Sequence, residues 1–176
     1  MNGKFNNKKG GMKKSKKLNN GYFAQNVKKF GKNFIASKRD DEIKRDAPRV
    51  FKDIAFCYGD VGSIGEYFID KRFVNSLYQY ALSMYTEYEL TSKGLIAYMN
   101  SEAEKNISID PRMGIDEMIK TKTKQAAAYS IIVQGLNNIL NTLKMESNLD
   151  RLALYCHVCI TLKQISIQLK DYRYVL

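Results

Sequence analysis

Hydrophobic residues recur every three or four positions along most of the chain after residue 47, which is the spacing of one face of an α-helix. The first run follows Asp46 and Pro48, where an N-cap residue is followed by a proline in the first turn. Its apolar positions are Val50, Phe51, Ile54, Ala55 and Tyr58. We therefore predict a helix that begins after Asp46 and ends at Gly59.

A second helix start is predicted at Ser63 and Glu66, which have the spacing of a capping box, where each side chain binds a free backbone amide. The stripe that follows is rich in aromatic residues and consists of Phe68, Phe73, Leu77, Tyr80, Met84 and Tyr88. Another helix, or a continuation of this one, is predicted from about Ser92 to Lys105.

Two further runs complete the pattern. Asp110 and Pro111 repeat the cap-then-proline signal. The positions after them form two adjacent rows with helical spacing, which together make a wide apolar face: Met118, Lys122, Gln125, Tyr129, Ile132, Leu136, Ile139 and Leu143, and beside them Ile119, Ala126, Val133 and Leu140. A last helix is predicted after Ser147 or Asn148, with an apolar face of Tyr155, Val158, Leu162, Ile165, Leu169 and Tyr172. Residues 163–176 also alternate with period two, so a strand is the alternative there.

These elements predict an all-α protein, an antiparallel bundle of four or five helices with an extended basic N-terminal arm. The two adjacent rows make a face wider than the seam of a two-stranded coiled coil, which favours a bundle core. We place the arm at residues 1–46 and the helical bundle domain at residues 47–176.

The arm itself has two parts. Residues 1–21 mix lysine, glycine and asparagine, and a segment of that composition is predicted to be disordered in isolation. Residues 22–35 have a basic amphipathic pattern, which predicts a short helix that Gly31 weakens. Its apolar positions are Phe23, Val27, Phe30 and Phe34, and its other faces carry Lys28, Lys29 and Lys32.

The charge of the chain is concentrated in its first fifty residues. The whole sequence has 29 Lys and Arg against 18 Asp and Glu, a formal net charge of +11. Residues 1–50 hold fifteen of those cations and four of the acidic residues, so residues 51–176 are neutral overall. This distribution excludes a globular domain with an evenly basic surface, and it excludes an acidic mimic of DNA.

Residues 1–39 carry twelve cations and no acidic residue, a composition that attracts a polyanion. Lysine binds as a point charge without the planar fork of arginine, so we expect contact with the nucleic acid backbone and no reading of base sequence. The predicted nucleic-acid-binding residues are Lys4, Lys8, Lys9, Lys13, Lys14, Lys16, Lys17, Lys28, Lys29, Lys32, Lys38 and Arg39. Docking on a partner protein, contact with an anionic membrane and a solubilising tail are the alternatives.

Cys156, His157 and Cys159 form the most suggestive chemical motif, because His157 is the only histidine. Zinc requires four ligands, and residue 157 points about 100° away from residue 156 on a helix. The order of residues also differs from a haem attachment motif. We interpret these cysteines as small core residues.

The glycine-rich stretch from Gly59 to Gly65 matches neither the dinucleotide-binding fingerprint nor the phosphate-binding P-loop. Gly62 to Gly65 has the Gly-x-x-Gly form that clamps RNA in KH domains, but neither middle residue is basic and no strands flank it. We interpret it as a turn between helices.

Catalytic patterns are also missing from the sequence. A di-metal site on helices requires carboxylates spaced three or four residues apart. The close carboxylate pairs of this sequence do not have that spacing: they are Glu87 with Glu89, Glu102 with Glu104, and Asp116 with Glu117. No serine lies in a nucleophile turn with a spare histidine as base. The sequence therefore predicts no enzyme, no cofactor and no metal.

Three cysteines, an odd and sparse set, fit a reducing compartment. The N-terminal lysines are followed by no apolar segment of a secretory signal, and no run of about 18 apolar residues is present. We expect a protein that is not secreted, has no transmembrane segment, and is located in the cytoplasm or in a virion or ribonucleoprotein particle.

Two functional hypotheses follow. The first is a structural or architectural protein of a virion or ribonucleoprotein, anchored by its arm to nucleic acid, with neighbouring subunits as further partners. The second is an adaptor whose segment 22–35 inserts Phe23, Val27, Phe30 and Phe34 into a groove on a partner protein.

Overall fold

The computed structural model describes residues 40–57, 60–105, 107–108, 110–145 and 150–176. Four long helices account for most of them: α1 (Asp40–Phe56), α2 (Lys71–Glu104), α3 (Ile115–Lys144) and α4 (Arg151–Gln168). Short helical turns lie at Gly62–Gly65, Glu66–Ile69, Pro111–Met113 and Leu169–Tyr172. About 88% of the described residues are helical and none of them is in a strand, so the predicted all-α class is confirmed.

Helix α1 spans Asp40–Phe56 and so includes residues ahead of the predicted start after Asp46, which places Pro48 inside the helix. The prediction of a start after Asp46 is wrong, because residues 40–46 are already helical and an aspartate and a proline are tolerated inside a helix that tertiary packing stabilises. Pro48 lacks a backbone N–H and so removes one hydrogen bond from the helix. The helix ends at Phe56, and the predicted stop at Gly59 lies outside the described residues.

The long helix predicted to begin at Ser63 begins at Lys71. Only one α-helical turn forms at Gly62–Gly65, and it tightens into a 3-10 turn over Glu66–Ile69. Asp70 then caps α2: its carboxylate accepts the backbone N–H of Arg72 at 2.9 Å and of Phe73 at 3.2 Å. The Ser92–Lys105 segment continues α2 without a break through Glu104.

Helix α3 also begins later than its predicted cap at Asp110. Pro111–Met113 forms a 3-10 turn, and Gly114 follows with a φ of 61°, in the left-handed region that a residue without a Cβ adopts most easily. Ile115 is then the first residue of α3.

Residues 163–176 were predicted to be either helix or strand. They are helical to Gln168, the last residue of α4, and then form a 3-10 turn over Leu169–Tyr172. Burial shows why the helical period prevails over the period of two. The buried apolar residues of this region keep helical spacing and are Leu154, Val158, Leu162, Ile165 and Leu169. Asp150 is the N-cap residue, and the predicted caps Ser147 and Asn148 lie outside the described residues.

Helices α2 and α3 lie side by side and run in opposite directions. Ser92 Oγ is 2.8 Å from Thr123 Oγ1, and nearer the start of α2 the ring of Tyr88 is 5.5 Å from that of Tyr129. Helix α1 packs on this pair through Phe51, whose ring is 5.8 Å from that of Tyr129.

Helix α4 packs against both α3, where Ile165 lies beside Gly135, and α1. Ser166 Oγ and Arg173 Nε both donate hydrogen bonds to the carbonyl of Ala55, at 3.5 and 2.7 Å. The buried core is therefore shared by all four helices, and most of the predicted apolar positions contribute to it: Val50, Phe51, Ile54, Ala55, Phe68, Phe73, Leu77, Tyr129, Ile132, Leu136, Ile139, Leu140, Leu143, Val158, Leu162, Ile165 and Leu169.

The second half of α2 and the first half of α3 extend beyond this core. We call residues 93–105 and 110–127 the distal hairpin. Ile115 is its one buried residue among those described. Its exposed large apolar residues are Ile96, Tyr98, Met113 and Met118. Met118 was predicted to face the core and is 46% exposed because the other helices do not reach it.

Candidate functional site

The predicted binding residues of the arm lie outside the described residues. This applies to the cations from Lys4 to Arg39 and to the predicted docking residues Phe23, Val27, Phe30 and Phe34. Their roles stay predictions, and the candidate site described here is on the helical body.

A cleft lies where the start of α2 meets the end of α3, with a volume of about 570 Å³. The Asp70 cap fixes the first turn of α2 and so positions Lys71 and Arg72. Lys144 comes from the last turn of α3, brought alongside by the antiparallel pairing of the two helices. The full lining is Lys71, Arg72, Asn75, Tyr78, Gln79, Asn137, Leu140 and Lys144.

The electrostatics of this cleft favour an anion. Three of its lining residues, Lys71, Arg72 and Lys144, are cations, and none is acidic. The nearest acidic group along the chain, Asp70, is already engaged by the amides of Arg72 and Phe73. Amide side chains from Asn75, Gln79 and Asn137 add neutral hydrogen-bond donors to this cationic set. We call this set of residues the basic cleft.

A cavity with acidic residues lies at the opposite end of the α2/α3 pair. This second cavity, of about 410 Å³, is lined by Asp110, Asp116 and Glu117, together with Met99, Pro111, Gly114, Ile115 and Lys120. Lys120 Nζ is 3.0 Å from Glu117 Oε1, and this interaction raises the pKa of Lys120. Among the described residues, no three His, Cys, Asp or Glu side chains lie close enough together to hold a metal ion.

The interpretation of Cys156 as a core residue is wrong: its side chain is exposed, as is that of His157. Residue 156 lies on the side of α4 that faces away from the other helices. Cys57 is buried and Cys159 is half-buried. Burial raises the pKa of the Cys159 thiol, so that it is protonated at neutral pH and is a weak nucleophile.

The glycines of the Gly62–Gly65 turn serve close packing against α4. The Tyr155 hydroxyl donates a hydrogen bond of 2.7 Å to the Gly62 carbonyl. A Cβ at Gly65 would lie 2.6 Å from Cys159 Sγ and 3.2 Å from Tyr155 Cε2. The turn therefore packs on a helix, in agreement with its interpretation as a connection between helices.

One cluster of aromatic residues on the body packs in or against the core. Tyr80, Tyr88 and Tyr129 form one cluster with Phe51, and Lys122 Nζ lies 4.7 Å from the centre of the Tyr88 ring. The Tyr129 and Tyr80 hydroxyls are hydrogen-bonded, and burial raises the pKa of Tyr129 well above its usual value. Phe51 and Tyr129 of this cluster are buried and so cannot stack on a nucleic acid base.

One helical stretch among the described residues, Arg151–Tyr172, is long and apolar enough to cross a membrane by length and composition. About 39% of its most apolar window is buried against the other helices. A core helix with a second apolar face meets the same criteria. The expected absence of a transmembrane segment therefore stays a prediction.

The basic cleft was not predicted from the sequence. Lys71 and Arg72 form an ordinary dipeptide, and Lys144 is distant from them in sequence. Only the antiparallel register of α2 and α3 brings the three together. The signal in the sequence was the predicted antiparallel bundle, in which the start of one helix lies beside the end of a neighbouring one.

Comparison of the chain with protein-family models, with curated proteins and with solved structures gives no match. Fold and site thus define an all-α protein with a cationic cleft, and its function is argued from these residues.

Proposed function

We propose that the chain is a non-enzymatic structural or architectural protein of a large intracellular assembly, a virion or a ribonucleoprotein, and that its arm anchors it to nucleic acid. The observation that carries this proposal is the charge distribution. Fifteen Lys and Arg against four Asp and Glu lie in residues 1–50, whereas the following residues are neutral overall. A polyanion that binds the arm releases counterions from its phosphates, which gives affinity without sequence preference.

The helical body supports the proposal in two ways. The basic cleft adds three cations on a fixed surface, where they can meet the same backbone that the arm follows. The shared core of α1 to α4 fits the predicted antiparallel bundle, which we propose as the rigid module of the assembly.

A salt series on the full chain tests the anchoring. Binding to a generic single-stranded RNA or double-stranded DNA should weaken by about 10³-fold or more between roughly 50 mM and 200 mM salt if six or more phosphates are contacted. Replacing the seven lysines between Lys4 and Lys17 with glutamine should lower the affinity strongly and flatten the salt dependence.

A matched control removes the same number of charges from the body. The replaced residues are the exposed lysines Lys52, Lys93, Lys105, Lys120, Lys124, Lys163 and Lys170. This variant should keep most of the affinity of the unmodified chain. Equal loss in both variants would show that net charge alone drives binding, and the proposed arm contact would be wrong.

The adaptor hypothesis predicts a different salt dependence, measured for binding to a partner protein. Attachment to a partner protein through Phe30 and Phe34 should survive high salt and fail when both become alanine. That outcome would replace nucleic acid with protein as the partner of the arm.

A further inference from the structure

The outward face of α4 is apolar. Leu152 is 65% exposed, Ile160 is 57% exposed and Ile167 is 62% exposed. Cys156 is exposed between the first two. At 100° per residue, these four positions and Lys163 fall within an arc of about 80° on the helix surface. We call Leu152, Cys156, Ile160, Lys163 and Ile167 the outer stripe.

The outer stripe is opposite the core. The buried positions of α4, from Leu154 to Leu169, are centred on the other side of the helix. A helix that is apolar on both sides normally buries both of them, because exposed apolar area in water is unfavourable. Beside Leu152, a shallow depression at the start of α4 is lined by Ile69 and Tyr155 and by the charged residues Glu66, Asp150 and Arg151, so the apolar surface ends there.

We propose that the outer stripe is an interface at which α4 packs antiparallel against α4 of a second copy of this chain. The spacing of the stripe is almost the same in both directions, so the stripe can meet a second copy of itself in a two-fold symmetric contact. With the axis between residues 159 and 160, Leu152 meets Ile167 of the second copy, and Cys156 meets Lys163. Ile160 then packs beside its own symmetry mate.

The charge of the outer stripe is compatible with this occupant. Lys163 is the one charged residue in the outer stripe, and the symmetric pairing places its aliphatic stem against Cys156, away from the other Lys163.

The size of the interface predicts a weak dimer. Helix α4 has 18 residues and is about 27 Å long. A single pair of helices of this length buries less than the roughly 800 Å² per partner of a standard stable interface. We therefore expect association that depends on protein concentration, of the kind that becomes effective when many copies assemble.

The proposed pairing also predicts how the two Cys156 thiols behave. The two Cys156 residues of a dimer are about 10 Å apart along the helix axis, farther than a disulfide allows. Association should therefore be the same with and without a reducing agent, and the Cys156 thiol should be alkylated more slowly as protein concentration rises.

Sedimentation equilibrium of the full chain, free of nucleic acid, tests the interface. The average mass should rise from monomer towards dimer between micromolar and millimolar concentration. Ile160→Lys places two charges at the symmetry axis and should hold the mass at monomer. Leu90→Lys is the matched control, because Leu90 is 63% exposed on α2 and should leave association unchanged.

A mixing experiment tests the symmetry itself. Ile160→Lys and Ile160→Glu should each be monomeric alone, and an equal mixture should recover the dimer, because residue 160 faces its own mate. A wild-type chain that is monomeric at every concentration overturns the proposal, as does association that Ile160→Lys leaves intact.

Two specific results would assign the stripe to another occupant and so refute the dimer. One is a monomer that binds neutral lipid vesicles and loses that binding on Ile160→Glu. The other is a monomer in which Phe30→Ala with Phe34→Ala speeds alkylation of Cys156. Neither experiment involves nucleic acid, so the dimer can fail while the proposed anchoring stands, and the reverse.

Discussion

Two glycines inside long helices have opposite surroundings. Gly135 of α3 is buried against Ile165 of α4, and a Cβ at this position would overlap the Ile165 side chain. Gly94 of α2 is exposed, and a Cβ there would meet nothing within 4 Å. The first glycine permits close approach of two helices, whereas the second only lowers the stability of its own helix.

The same substitution should therefore have opposite effects at the two sites. Gly135→Ala should lower the free energy of unfolding by about 1–3 kcal/mol, because Ile165 must move within a packed core. Gly94→Ala should raise it by about 0.5–1 kcal/mol through helix propensity. Urea unfolding of both variants measures the two changes. A stabilising Gly135→Ala would contradict the close contact of α3 and α4.

Tyr129 should make stability depend on alkaline pH. Its pKa is raised in the folded state by burial, whereas the unfolded chain ionises near pH 10. Above that pH the unfolded state has lost a proton that the folded state keeps, so stability falls as pH rises, by about 1.4 kcal/mol per pH unit. Below pH 10 this loss is absent.

Tyr129→Phe removes that dependence. Near neutral pH the variant should be less stable by about 0.5–1.5 kcal/mol, because the hydrogen bond with Tyr80 is lost. Towards pH 11 the difference should shrink or reverse. Urea unfolding at several pH values is the measurement, and a gap that stays constant up to pH 11 would contradict the burial of Tyr129.

At the scale of the elements, two helices begin with an aspartate that acts differently. Asp70 of α2 accepts two backbone amides, whereas the Asp150 side chain at the start of α4 makes no cap hydrogen bond. Asp70→Ala should cost about 1 kcal/mol of stability, and Asp70→Ser should restore most of it. Asp150→Ala should cost clearly less. Thermal or urea unfolding compares the three variants, and equal losses at both positions would argue against the Asp70 cap.

The sequence predicted the helices better than their ends. Helical spacing of apolar residues located α1 to α4, because burial of one face requires that spacing. The starts of α1 and α2 were missed because several cap signals compete locally, and Asp70 lacks the reciprocal glutamate that made Ser63 stand out. The outer stripe was also missed. A helix with two apolar faces has apolar residues around most of its circumference, so the sequence does not show which face is buried.

At the scale of the molecule, the sequence located the excess charge but not where cations meet on the folded surface. The arm is visible because Lys residues follow one another closely. The basic cleft depends on a register between α2 and α3 that packing of Tyr88 on Tyr129 and of Ser92 beside Thr123 establishes. No local pattern encodes that register.

The basic cleft should contribute to nucleic acid affinity independently of the arm. Lys71→Gln, Arg72→Gln and Lys144→Gln together should reduce the slope of log affinity against log salt by about 0.9 for each phosphate that the variant no longer binds. The control replaces Lys93, Lys105 and Lys120, whose ammonium groups are paired with carboxylates on their own helices. An unchanged slope in the cleft variant would confine binding to the arm.

The distal hairpin implies that the chain opens in two stages. Its backbone hydrogen bonds are backed by one buried apolar side chain, Ile115, whereas the first half of α2 and the second half of α3 lie in the shared core. Amide protons of residues 95–104 and 116–124 should therefore exchange with deuterium through local fraying that urea barely accelerates. Those of residues 74–81 and 132–140 should exchange only when the whole molecule unfolds, so the hairpin tip can reshape around a neighbour while the core stays closed.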